Sequence, residues 1–88
     1  MKGVNVTDWI EIKTRLQNVF RDVFDNEEME LFDEMTAEDV EEWDSLKHVQ
    51  LMVASEQEFG VTFKTAEIME LKNVGELISL IQKKLVSR

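Results

Sequence analysis

The chain has no cysteine and no proline, one histidine, and ten basic residues against nineteen acidic ones. Without cysteine there are no disulfides, no thiolate metal sites and no cysteine nucleophiles, so any thiol chemistry has to be imported. A single histidine cannot build a zinc site, and the acidic stretch lacks the alternating carboxylates and central glycine of a calcium loop; no metal site is expected. No stretch approaches the ~20 consecutive apolar residues needed to span a bilayer. The opening residues, Met1 to Ile10, lack the basic-then-apolar order of a secretory signal, which predicts a cytoplasmic protein.

The shortage of basic residues sets a formal net charge of −9. A surface of that sign repels nucleic-acid phosphates and anionic lipid head groups, and it opposes self-association, so a monomer with no nucleic-acid or membrane partner is expected. Eleven of the acids fall between Asp25 and Asp44, with no Lys or Arg among them. That run serves either as a solvated loop or as a surface that steers a basic protein partner.

What is present is enough for one fold. Eighty-eight residues with 43% hydrophobic content predict a single domain, 1–88, because a chain this short buries only about 60–65% of its unfolded surface and supports one modest core. Four segments carry helical periodicity, and neither strand alternation nor internal repeats compete with them. The expected class is all-α: a small four-helix bundle, three long helices and one short, with a long loop between the first two and a helical core at about 8–86.

In the first helix, expected at 8–24, Ile12, Leu16, Val19, Phe20 and Val23 share one face, and Asp8 with Glu11 has capping-box spacing. From Asp25 to Trp43 periodicity weakens. Leu31, Phe32, Met35, Val40 and Trp43 are candidate apolar anchors there, and Thr36 with Asp39 is spaced to cap a short helical turn. A second helix starts at Asp44–Ser45, carries Leu46, Val49, Met52, Val53 and Phe59, and ends at Phe59 before Gly60, which tolerates the left-handed conformation of a helix stop. A short third helix is expected at 65–70, with Ile68 and Leu71 turned toward the core. The last begins at the Asn73/Glu76 capping pair; its stripe is Val74, Leu77, Ile78, Ile81 and Leu85, with Lys83, Lys84 and Arg88 near the negative end of its dipole.

The segment Trp43-Asp44-Ser45-Leu46-Lys47-His48-Val49 places a hydroxyl at a helix mouth just after the acidic run. In the simplest reading Asp44 or Ser45 caps the helix by accepting an otherwise orphaned N–H. A helix mouth also stabilises an anion through its dipole and free N–H groups, so a phosphodiester would be well placed on Ser45. An exposed serine without a base is a poor nucleophile, and a separate enzyme would have to install such a group. A catalytic trio of Asp44, Ser45 and His48 is disfavoured: their spacing along one helix does not present the carboxylate to the ring nitrogen opposite the serine, and no glycine-rich oxyanion loop is present.

These residues resemble the signature of acyl carrier proteins and related peptidyl carriers: Asp44-Ser45-Leu46, then Val49 and Leu51-Met52-Val53-Ala54, then Glu56-Gln57-Glu58-Phe59-Gly60-Val61. Phe63, Ile68, Leu71 and Val74-Gly75-Glu76 continue the likeness without a gap, so that it covers roughly Asp8 to Leu85. The resemblance implies that Ser45 carries a covalent 4′-phosphopantetheine, and that Asp44, Leu46, Val49, Val53 and Glu56 belong to the surface read by partners. Those partners would be a phosphopantetheinyl transferase and the acyl- or aminoacyl-loading and synthase enzymes. It further implies a carrier rather than an enzyme, transporting acyl, aminoacyl or polyketide groups as thioesters on a sulfur supplied by the cofactor. Ser55 stands where that family usually has leucine, and Lys47, His48 and Gln50 make the start of the second helix less acidic than in fatty-acid carriers. The alternative from a different class is an unmodified acidic helical domain that docks a basic partner.

Overall fold

The computed structural model describes residues 8–87. Arg88, expected at the negative end of the last helix, lies outside them. Four helices follow in order: α1 (Trp9–Phe24), α2 (Ser45–Phe59), the short α3 (Thr65–Glu70) and α4 (Val74–Ser87). No strand occurs among the described residues, so the architecture is the all-α bundle that the periodicity predicts.

Each helix starts and stops for a local reason. Asp8 caps α1 by accepting the Ile10 N–H at 2.9 Å. Asp25 ends α1 in the left-handed region, φ 52° and ψ 46°, a conformation that aspartate tolerates better than most side chains. Gly60 ends α2 at φ 66°, where the lack of a Cβ removes the penalty. Asn73 Oδ1 accepts the Glu76 N–H at 2.9 Å, while the Glu76 carboxylate reaches back to the Lys72 N–H at 2.8 Å.

α1 and α4 present the expected stripes inward. Ile12, Leu16, Val19 and Phe20 of α1 pack with Val74, Leu77, Ile78, Ile81 and Leu85 of α4, and all are buried. Phe24, one turn past Phe20, is buried as well and extends the stripe beyond the expected end at Val23.

α2 departs from the simple reading of its apolar residues. Leu51, Met52, Ser55 and Phe59 face the core, whereas Leu46, Val49 and Val53 are exposed. The helix therefore has two apolar faces. Positions 46, 49 and 53 recur at three- and four-residue spacing, which on a helix makes an outward stripe parallel to the buried one.

The segment between α1 and α2 is anchored along its length. Leu31, Met35 and Val40 are buried. Gln17 Oε1 accepts the Leu31 N–H at 2.9 Å. Thr36 and Asp39 form the expected capping box around a 3-10 turn at Ala37–Asp39, with the Thr36 N–H bonded to Asp39 Oδ2 at 2.9 Å. Phe32, a candidate anchor, is instead exposed. It heads a tight turn closed by the Met35 N–H to the Phe32 carbonyl at 3.0 Å, so Leu31 and Met35 turn in and Phe32 turns out.

The middle of this segment is tied to α4. The N–H groups of Val74 and Gly75, in the first turn of α4, donate to the carbonyls of Met35 and Asp33, each at 2.8 Å. A Cβ on Gly75 would stand 3.0 Å from the Asp33 carbonyl oxygen. The approach is tight, so a larger residue there would press on the Asp33 carbonyl.

Candidate functional site

The entrance to α2 is built by the residues just before it. The 3-10 turn leads into Val40, whose carbonyl accepts the Trp43 N–H at 3.0 Å, and the Asp44 N–H bonds to the Glu42 carbonyl at 3.0 Å. Asp44 then sits in extended geometry as the N-cap, its Oδ1 accepting the Lys47 N–H at 2.9 Å. This decides between the two candidate caps: Asp44 does the capping, and Ser45 is the first residue of the helix proper. Ser45 is exposed, and its hydroxyl makes no hydrogen bond to the described residues. The positive end of the α2 dipole lies beside it.

Trp43 is fixed from two sides. Its indole meets Phe20 edge-on, with centroids 5.4 Å apart at 81°, and lies 5.9 Å from Phe24. On the other side its Nε1–H donates to His48 Nδ1 at 3.1 Å, with the two rings near parallel and 6.1 Å apart. The indole thus takes the ring nitrogen that a catalytic carboxylate would need, while the Asp44 carboxylate is occupied at the cap. The arrangement does not make a hydrolytic triad.

Around Ser45 the surface is apolar and unusually exposed. Leu46 is 65%, Val49 58%, Val53 46% and Met69 of α3 79% exposed. A groove of about 680 Å³ opens beside Ser45, walled by Trp43, His48 and Val49 on one side and by Thr65, Ile68 and Met69 of α3 on the other. Glu56, further along α2, is half-buried, and its carboxylate accepts the Phe63 N–H at 2.7 Å, which holds the turn after Gly60.

Several basic side chains are tied back into the structure. Lys47 Nζ donates to the Val23 carbonyl at 3.0 Å, at the negative end of α1. Arg15 binds Glu58 through both its side chain at 2.8 Å and its carbonyl at 2.7 Å. Glu67 of α3 accepts the Lys64 N–H at 2.8 Å and pairs with Lys84 at 2.9 Å. The backbone hydrogen bond first, then the lysine, hold the Glu67 carboxyl below its ordinary value of 4.5. No cluster of three or more potential metal ligands occurs among the described residues, and no described helix is long and apolar enough to cross a membrane.

Residues 14–81 match the family described as a phosphopantetheine attachment site. The chain belongs to that family. Over 59 residues it is 39% identical to the acyl carrier protein of Thermotoga maritima, a match that covers 67% of this chain and 65% of that relative. The chain thus spans a little under two thirds of the relative's length. No solved structure matches it.

The prosthetic group of the phosphopantetheine-attachment family is covalent 4′-phosphopantetheine, and the residues present fit such a group. Within the matched stretch Ser55 is fully buried and Ser79, though exposed, sits in the middle of α4, whereas Ser45 stands free at a helix entrance next to an apolar groove. A long flexible arm has room there, and the hydroxyl is not needed elsewhere in the fold.

Three features of this phosphopantetheine-attachment domain were not legible in the sequence. Lys47 and His48 read as surface charge and polarity, yet Lys47 closes the end of α1 and His48 holds Trp43. A Trp and a His five residues apart are a weak signal, because whether they meet depends on how the chain turns at Asp44. The close approach at Gly75 involves a carbonyl more than forty positions earlier, and no local pattern announces it.

Proposed function

We propose that this protein is a carrier, bearing acyl, aminoacyl or polyketide groups on 4′-phosphopantetheine joined to Ser45. The observation that carries the reading is the division of roles at the α2 entrance: Asp44 caps the helix, and Ser45, exposed and unbonded, is left for modification. When bound, the group supplies the thiol that the sequence lacks, and with it thioester chemistry. The chain's own residues position and present: the first turn of α2 places a positive dipole end at the phosphodiester, and the open groove beside Ser45 offers an apolar surface for cargo to lie against. Catalysis is left to the partner enzymes.

Partner recognition belongs, in this reading, to Asp44, Leu46, Val49, Val53 and Glu56. The exposed stripe of Leu46, Val49 and Val53 supports it, since an apolar strip that follows an acidic segment suits a partner that meets it with apolar and basic side chains. The transferase and the loading and synthase enzymes would use the same face in turn. Glu56 would contribute through the carboxylate oxygen that does not hold Phe63. The protein would act as a monomeric single domain in the cytoplasm, with its net charge of −9 opposing self-association.

Intact-mass measurement after incubation with coenzyme A and a broad-specificity phosphopantetheinyl transferase tests the proposal. The wild-type chain is expected to gain one phosphopantetheine, mapped to Ser45 by peptide analysis, and Ser45→Ala to gain none. A folded wild-type chain that stays unmodified beside a positive control overturns the carrier reading in favour of an unmodified docking domain.

A further inference from the structure

A second, smaller space lies behind the groove at Ser45. It measures about 100 Å³ and is lined by Met52 of α2, by Leu71, and by Val74 and Leu77 of α4. Ala37, Trp43 and His48 line both this inner space and the outer groove. Ala37 contributes little bulk, so the barrier between the two spaces is the pair of rings. Both rings are held in place: Trp43 by Phe20 and Phe24, and His48 by its bond from Trp43 Nε1 at 3.1 Å and the near-parallel stacking. His48 also lies one helical turn after Ser45 on α2, so one half of the barrier shares a helix with the attachment hydroxyl, while Trp43 stands in the turn just before it.

We propose that Trp43 and His48 form a partition that sets how far a chain carried at Ser45 enters the bundle, and so select for short or externally held cargo. The proposal rests on the carrier reading and deepens it by naming residues that determine cargo size. With the partition closed, a carried chain is limited to the open groove against Val49, Ile68 and Met69, where water reaches the thioester. With the partition removed, the groove and the inner space become continuous, and an apolar chain passes between α2 and α4 over Met52, whose flexible side chain adapts to it. The inner space alone is smaller than the ~150 Å³ cavity known to accept benzene. A longer chain gains from it only once the two spaces are joined.

The test loads wild type, His48→Ala and Trp43→Phe with butanoyl- and decanoyl-phosphopantetheine, confirms each loaded product by intact mass, and measures thioester cleavage by hydroxylamine. Trp43→Phe keeps an aromatic ring against Phe20 and Phe24 while removing the N–H donor and part of the ring bulk, so it is the milder of the two changes and serves if His48→Ala does not fold. In wild type the two chains are expected to be cleaved at similar rates. In the variants the decanoyl thioester is expected to become several-fold slower to cleave, with the butanoyl thioester unchanged. Strong protection of the decanoyl chain already in wild type, or no difference between wild type and both variants, overturns the partition. Failure of the wild-type chain to load at all overturns the carrier reading instead, so the two failures are distinguishable.

Discussion

Ser55 offers a sharp test of how the core is held together. It is fully buried on the inner face of α2, and its Oγ has no hydrogen-bond partner. A hydroxyl taken from water without a replacement bond costs about 1–3 kcal/mol. Ser55→Ala removes that cost and adds roughly 0.5 kcal/mol of helix propensity. Against this stand only the packing contacts of one oxygen, each pair contributing about 0.1–0.2 kcal/mol. The balance favours the variant by about 1–2 kcal/mol, and at roughly 4–8 °C per kcal/mol for a domain of this size the shift is easily resolved. Urea denaturation is the assay: the midpoint should rise while the slope stays constant, because the same surface is exposed on unfolding. A lower midpoint would refute the reasoning, since it would mean that the hydroxyl is satisfied in solution, by the Leu51 carbonyl one turn back or by a trapped water.

Asp25 holds a left-handed conformation at the negative end of α1, so Asp25→Gly removes both a Cβ penalty and an unfavourable charge. A gain of about 0.5–1 kcal/mol is expected in thermal melts, and a loss would refute the account. At Glu67 the carboxyl is held below 4.5 by the Lys64 N–H and by Lys84. A depressed value means that its contribution to stability is present above pH 4.5 and is lost as the pH falls through the lowered native value. Glu67→Gln should therefore be less stable than wild type at neutral pH, and melts taken at descending pH should show the gap closing; a gap that widens in acid contradicts the assignment.

Much of the fold was legible because its signals are local. The stripes of α1 and α4, the Asn73 cap, the Thr36/Asp39 box and the Gly60 stop each depend on residues within a few positions and are found where the spacing put them, while of the expected Asp8/Glu11 box only the Asp8 half forms, to the Ile10 N–H. α2 was harder, because periodicity marks apolar residues without saying which face the rest of the chain covers; Leu46, Val49 and Val53 carry the same pattern as core residues and stand in solvent. Phe32 shows the same limit in the loop, where a single tight turn decides which apolar neighbours go in. At the site, the serine and the acidic approach could be read directly. The Trp43–His48 bond, the Lys47 tie to α1 and the close approach at Gly75 arise from segments brought together only by folding.

The capping of α2 by Asp44 has a consequence for whatever is joined to its neighbour. Since the Ser45 oxygen bonds to none of the described residues, esterifying it would sacrifice no such bond, and the chain before and after such a modification should share one backbone and nearly one melting temperature. Had serine been the cap, any group attached there would have tugged at the helix start; with the cap on Asp44, the scaffold would be indifferent to a group carried on Ser45 under the proposed reading.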